Sequence, residues 1–421
     1  MNSGDLTYRN EAGRMVAALT RVFGIHNLEL AEDVVQDAFC RALETWKYRG
    51  VPNDPAAWLM RVARNRALDV VRRERTARTF APDLGRLLAT EWTVAGVVAE
   101  LFDETAIADD QLRMMFSCCH PKLPQSTQAM LVLQLLCGFG AREIAAGFVT
   151  ERSAVERRLS RAKRTLMNGG PLFDIADRND FERRLPAVLD AIYLLFNEGY
   201  HGSSQHAVRS ELCAEALRLA RLIAQHPIGG SPTTHALCAS MCLHAARLPE
   251  RLDDGGNLRS LRDHDRSRWN SGLINEGRAW LERSASGDGI TRYHLEAAIA
   301  WQHAASARFD DTDWSAIAGL YDALLHIVPS PVVALNRAIA IGQRDGPVAG
   351  LTAVSSLEGD ARLECYPFFH AALGEFLFDE GRSAEALARF ERALSLARNV
   401  DEENYLRRRR NALASLPVSA P

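Results

Sequence analysis

Residues 57–75 read AWLMRVARNRALDVVRRER, and the placement of their arginines decides how the chain is understood. At 100° per residue, Trp58, Leu59, Val62, Ala63 and Val70 share one side, the stripe by which a helix packs. Arg61, Arg64, Asn65, Arg72 and Arg75 gather on the other. Arg66 and Arg73 interrupt the stripe, where their stems can lie along its edges with the charge turned out to water. From Arg61 to Arg78 seven arginines stand against Asp69 and Glu74, a local net of +5. A solvated face usually mixes signs and uses Lys and Glu freely. An almost pure Arg face with an Asn among its members suits phosphates and base edges better. This helix alone leaves both readings open.

A second basic helix narrows them. Residues 141–167, AREIAAGFVTERSAVERRLSRAKRTLM, contain a helix, a short break and another helix. Ser153 followed by Glu156 is a capping-box pattern and predicts a helix start at Ser153. Val155, Leu159, Ala162 and Leu166 form the apolar stripe, and Arg157, Arg158, Arg161, Lys163 and Arg164 take the other positions. Six basic side chains and one acidic lie between Arg152 and Leu166, again +5. With the helix around Glu143 before it, this is a helix-turn-helix candidate whose second helix would enter a major groove. An ordinary amphipathic hairpin is the competing reading. Two Arg-rich helices on separate blocks suggest a protein that touches DNA at two separated places.

At 421 residues the chain exceeds one comfortable core, and 47% hydrophobic content marks it as folded. No apolar run approaches the roughly 20 residues that span a bilayer. The first residues, MNSGDLTYRN, lack the apolar core of a secretory signal. Eight Cys without regular spacing read as reduced thiols, so a cytoplasmic location without membrane contact is expected. Net charge is −3, but residues 1–170 carry 23 basic and 20 acidic side chains, whereas 171–421 carry 27 and 33. Helical periodicity recurs without alternating β-runs, so the fold class is all-α. Four segments are expected: a helical region over 5–78, a linker over 79–104, a compact helical block over 105–168, and a helical extension over 181–410. NGGPLFDIADRND at 168–180 separates the last two, and the tail LPVSAP lies beyond.

Taken together these stretches resemble an extracytoplasmic-function (ECF) sigma factor of bacterial RNA polymerase. AEDVVQDAFCRALETW (31–46) is similar to sigma region 2.2, residues 57–75 to regions 2.3–2.4, and residues 123–166 to region 4. FSCCHPKLP (116–124), DAIYLLFNEGYHGSS (190–204) and TDWSAIAGLYDALLHIVPSPVVALNRAIAI (312–341) resemble the subgroup with a long C-terminal TPR-like extension. The Gly-Gly-Pro run at 169–171 departs from that pattern at the join. The resemblance implies a region 2 helical bundle, a region 4 helix-turn-helix domain and a TPR-like helical-repeat domain. It further implies core RNA polymerase as partner, through its β′ clamp helices and β flap, and promoter DNA. Asp33, Gln36, Asp37 and Arg41 would face the clamp helices. Without the resemblance they read as a solvated polar face. Trp58, Arg61, Asn65, Arg66, Arg72 and Arg73 would handle and help melt the −10 element. Arg157, Arg158, Arg161 and Arg164 would grip the −35 element, and residues 79–104 would thread polymerase near its RNA exit path.

Residues 367–400 follow the 34-residue TPR template, with Leu373 and Gly374 in the first helix, Gly381 at the turn, and Ala386, Phe390 and Ala393 packing the second. Arg398 stands where proline is usual. Ile317, Tyr321, Leu324 and Pro329 fit the second half of another unit, and residues 332–357 fit weakly, with Gly346 at the turn. Such an array offers a concave face to a protein or peptide partner. Asn197, Glu198, Tyr200 and His201 cluster at a helix end that Gly199 would terminate as its C′ residue, so structural packing is favoured there over chemistry. Cys118, Cys119 and His120 are adjacent, not spaced, and His235, Cys238, Cys242 and His244 lie on one helix, so metal is disfavoured at both. No nucleophile–base set or phosphate loop points to an enzyme or a cofactor. The rival readings are a TPR-like scaffold with a vestigial sigma region and a stand-alone helix-turn-helix regulator.

Overall fold

The computed structural model describes residues 3–73, 104–148, 150–168, 178–202, 208–287 and 289–414. Among them the fold is all-α, relieved by short 3-10 turns and one isolated antiparallel bridge between Leu252 and Leu258. The expected linker (except Glu104), the Gly-Gly-Pro join and the tail lie outside the described residues. The chain divides into two compact units, residues 1–195 with 225–229, and residues 196–224 with 230–421.

The first unit opens with α1 (Ser3–Phe23), α2 (Leu28–Arg49) and α3 (Pro55–Arg73). They pack on one another through the stripe that periodicity requires: Met15, Leu19 and Phe23 from α1, Val34, Val35 and Ala38 from α2, and Leu59, Ala63 and Ala67 from α3. In α3 the fully buried row is therefore 59/63/67, while Trp58, Val62 and Val70 are half-buried at its margins. Gly50, with φ +76°, ends α2, and the Asp54 carboxylate accepts from the Ala57 N–H at 2.9 Å to start α3.

α4 (Glu104–Cys118), α5 (Gln125–Leu135), α6 (Ala141–Gly147) and α7 (Arg152–Asn168) complete a second helical block of the same unit. The two blocks touch intimately. A Cβ on Gly13 of α1 would lie inside the carbonyl of Leu136, so only glycine permits this approach of helix backbone to helix end. Arg21 donates to the fully buried Asp110 at 3.2 Å, and Lys163 of α7 donates to both oxygens of Glu32 at 2.6 and 2.9 Å. α8 (Arg178–Tyr200) continues the unit as far as Leu195, with the Phe181 ring 4.2 Å from that of Phe116 and tilted by 31°, and Arg184 donating to the Phe116 carbonyl.

The expected capping box is overturned. α7 begins at Arg152, because the Glu151 carbonyl already accepts from Ala154 and Val155, and Ser153 lies inside the first turn. Glu156 pairs with Arg152 one turn back, at 2.7 Å. Its carboxylate found a nearby cation in place of a backbone donor. Gly199 is likewise not a helix terminator, since α8 runs through it to Tyr200. A Cβ there would come within 2.8 Å of the Cys213 backbone nitrogen and Sγ, so its small size serves a close helix approach.

The second unit holds α9 (Ser210–Gln225), α10 (Pro232–Ala245), α11 (Leu248–Arg251), α12 (Ser271–Ser284) and α13 (Arg292–Ala305), with most of α10 buried among them. α14 (Trp314–Ile327), α15 (Pro331–Asp345), α16 (Pro347–Ser355), α17 (Ala361–Glu364), α18 (Pro367–Asp379), α19 (Ser383–Ser395) and α20 (Val400–Ala414) follow as a stack. Its core comes in successive layers, each shared by neighbouring helices: Leu295 with Ile317 and Leu324, then Leu335 with Val354 and Phe369, then Phe390 with Ala393 and Leu406. α18 and α19 turn at Gly381 (φ +78°), and Gly374 lets the Phe390 ring close against α18. Among the described residues, the helices of this stack bury their apolar faces against their neighbours along the chain.

Candidate nucleic-acid and polymerase faces

The rigid side of α3 fixes what its other side presents. Leu59, Ala63 and Ala67 are sealed in the core, which turns Arg61 and Asn65 fully outward, with Arg64 half-exposed beside them. Trp58 sits at the edge of this face, its ring 5.3 Å from that of Trp46 and tilted by 59°. Sequence reading passed over Trp46, for which a lone tryptophan near a helix end gives no signal. Arg72 and Arg73 belong to α3, but their side chains lie outside the described residues.

On α2, Asp33, Gln36 and Arg41 are exposed and Asp37 is half-exposed, on the side opposite Val34, Val35 and Ala38. Arg66 is drawn out of the α3 face: its Nε lies 2.9 Å from Asp37 Oδ2, while Arg41 stands 4.0 Å from the same oxygen. One bridge thus ties together two residues assigned to different partners. With both side chains about a third exposed, it is a screened, modest interaction.

α7 follows the same logic as α3. Val155, Leu159, Ala162 and Leu166 are buried, leaving Arg157, Arg158, Arg161 and Arg164 exposed in a row. None of the four pairs with a carboxylate among the described residues, and Arg164 reaches only the Ser160 hydroxyl at 3.3 Å. Lys163 alone is turned inward to Glu32. Such a row of free guanidiniums on a firmly anchored helix can hold successive phosphates or reach base edges. α6 is steadied by Glu143, whose carboxylate accepts from the Gly140 N–H at 2.9 Å.

Residues 8–77, which take in most of α1 and all of α2 and α3, match the model of sigma-70 region 2, and residues 184–285 match a family of unknown function, DUF6596. An uncharacterized protein of Rhizobium meliloti (strain 1021) is 38% identical over 416 residues, covering 99% of this chain and 97% of that protein. The chain belongs to that protein's family. Its N-terminal helices form a sigma-70 region 2 domain, and the DUF6596 segment begins in α8 and ends just past α12.

The other side chains that the sequence singles out are described by their own neighbours within each unit. Cys118 and Cys119 are buried, and burial pushes the Cys119 thiol up to about 12, far from the thiolate a metal needs. His120 Nδ1 accepts from the Lys122 N–H at 3.0 Å. On α10, His235 stacks on Trp280 at 5.3 Å whereas His244 meets Tyr200 edge-on at 5.3 Å, so the two imidazoles serve different neighbours. No group of three or more His, Cys, Asp or Glu suited to a metal occurs among the described residues. No described helix is long and apolar enough to cross a membrane. Tyr200 is buried with the Arg251 guanidinium 4.6 Å from its ring, and the exposed His201 meets the same ring edge-on at 4.7 Å.

Proposed function

We propose that this protein is an ECF-type sigma factor: it binds core RNA polymerase, recognises −10 and −35 promoter elements and starts transcription in the cytoplasm, itself catalysing nothing. The observation that carries the reading is the exposed Arg61/Asn65 side of α3, rigidly backed by the 59/63/67 core row, on a helix of a sigma-70 region 2. Free arginines beside a duplex neutralise phosphates, and an amide among them can pair with an unstacked base. The row Arg157, Arg158, Arg161 and Arg164 on α7 supports a second contact, at the −35 element. Asp33, Gln36, Asp37 and Arg41 would meet the β′ clamp helices, and the α6–α7 block the β flap. The layered hairpins of the second unit support a TPR-like modulating domain whose face takes a protein or peptide.

Run-off transcription with purified core polymerase over a genomic promoter pool tests this. Promoter-specific transcripts that require the full-length protein and vanish in Arg61→Ala/Asn65→Ala are the expected result. Absence of both core binding and specific transcripts would sink the sigma reading and promote the scaffold.

A further inference from the structure

We propose that the second unit binds a small oxyanion, a ligand carrying a phosphate or carboxylate group, at a buried set of donors formed by Arg247, Arg251, Arg266 and Trp269. Arg247 follows α10, and Arg266 and Trp269 come from the irregular loop 252–270 that joins α11 to α12. The guanidiniums of Arg247 and Arg266 both lie against the Trp269 ring, at 5.1 and 5.2 Å from its centroid. Arg247 is only 5% exposed and Arg266 9%.

Their hydrogen-bond partners among the described residues are neutral, and Asp311, the carboxylate whose charge reaches Arg266, is exposed and held by Arg308 at 3.0 Å through both oxygens. Arg247 donates to the Ala300 carbonyl, Arg251 to that of Tyr200, and Arg266 to the carbonyls of His303 and Ser306 and the Thr312 hydroxyl. The fully buried carboxylate nearby, Glu250, is already taken by Arg259 at 2.5 Å, Arg268 at 3.1 Å and the Asp265 N–H at 3.0 Å. Buried cations without a counter-charge are costly, and proteins keep them paired or ligated.

The unmet atoms say what the missing complement is. The Nε atoms of Arg247, Arg251 and Arg266 and Nε1 of Trp269 are buried with no hydrogen-bond partner. All four can only donate, so what completes them accepts, and the surrounding positive charge makes it an anion. His264 and His303 also carry unpartnered ring nitrogens there. Burial holds them down, to about 4 and about 2, so they stand neutral near pH 7 and the arginines supply the charge. Entry would proceed through the loop 252–270, whose Arg268 is half-exposed at its surface. The same loop is held by the last helix, Arg408 donating to Asp253 at 3.0 Å and to the Leu258 carbonyl at 2.6 Å, so ligand occupancy reaches α20.

Calorimetric and thermal-unfolding titrations of the full-length protein test the site independently of any transcription. The probes are inorganic phosphate, sulfate and malonate, against chloride at matched ionic strength. Saturable binding and a rising melting temperature with phosphate or malonate, and none with chloride, are expected. Phosphate alone would mark a phosphoryl ligand, and malonate alone a carboxylate. Arg266→Gln, and Trp269→Phe, which keeps the ring and loses only the N–H, should each weaken half-saturation by about tenfold, as the loss of one charged hydrogen bond does. No saturable response to any oxyanion, or a response equal in wild type and Trp269→Phe, would overturn the proposal.

Discussion

Gly13 and Leu136 set the tolerance of the first unit at the scale of one methyl group. Adding a Cβ at 13 forces α1 away from the Leu136 carbonyl, a backbone atom that cannot rotate aside. Overpacking of this kind costs about 1–3 kcal/mol, and the helix propensity that Ala returns, about 1 kcal/mol, only partly offsets it. Gly13→Ala should therefore lower the urea midpoint of unfolding while leaving helix content near wild type. An unchanged midpoint would mean that the α1–α5 approach is looser than drawn here. Phe390 is the counterpart in the second unit: it fills the space beside Gly374 with no exposure, and Phe390→Ala should cost about 3–5 kcal/mol by denaturant titration.

At the scale of the helix, the two Arg faces differ from ordinary solvated faces in having few carboxylates to answer them. Arg157→Ala/Arg158→Ala/Arg161→Ala removes three exposed cations and no buried contact. The triple variant should melt within about 1 °C of wild type, since exposed substitutions rarely shift stability by more than about 0.5 kcal/mol. Its affinity for promoter DNA should fall, and the slope of log K against log salt should become shallower by up to about 2.7, at roughly 0.9 per phosphate contact. Filter binding across 50–200 mM salt reads both quantities, and an unaltered slope would remove α7 from the DNA surface. Elements of this kind were legible before any coordinates, because a stripe such as Val155, Leu159, Ala162 and Leu166 announces its burial by spacing alone. What spacing does not carry is tertiary reach. Lys163 has the same local surroundings as Arg161, yet it turns inward because Glu32, 131 residues away, comes within 2.6 Å. Nothing in the sequence marks Arg247 and Arg266 as buried, and only the tertiary placement of both guanidiniums against the Trp269 ring shows it. The helix start at Arg152 escaped for a smaller reason, since Ser153 is the better N-cap by residue type but the i,i+4 pair of Arg152 with Glu156 accompanies a start one residue earlier.

For the molecule as a whole, acid should act mainly through the second unit. His244, His264 and His303 are held by burial at about 3, about 4 and about 2, all below the 6.5 of an unfolded chain. Unfolded chains therefore bind protons that the folded unit refuses. The stabilisation is complete above pH 6.5 and is lost as pH falls from there through about 4, where His264 charges in the fold, towards about 3 and about 2 for His244 and His303. Each fully buried imidazole contributes a slope of about 1.4 kcal/mol per pH unit in that window. Melting temperatures at pH 7.5, 6.0 and 5.0 should fall steadily, and His303→Gln should fall less steeply than wild type. A flat profile over that range would show these rings to be hydrated. The charge asymmetry between halves was visible in composition; the pH response was not, because a histidine in a sequence does not declare its depth.

The bridge from Arg66 to Asp37 gives the sigma reading a quantitative corollary. A guanidinium held by a carboxylate on α2 is withheld from a strand lying along α3, and the carboxylate is equally withheld from any cation offered to α2. Whichever ligand arrives first pays to part them, and the second finds its group already released. Polymerase and promoter would then be heterotropic effectors of one another, each raising the other's affinity by an identical factor. Cutting the bridge with Asp37→Asn would free Arg66 in advance and shrink that factor towards one, even as DNA binding by the isolated protein improved.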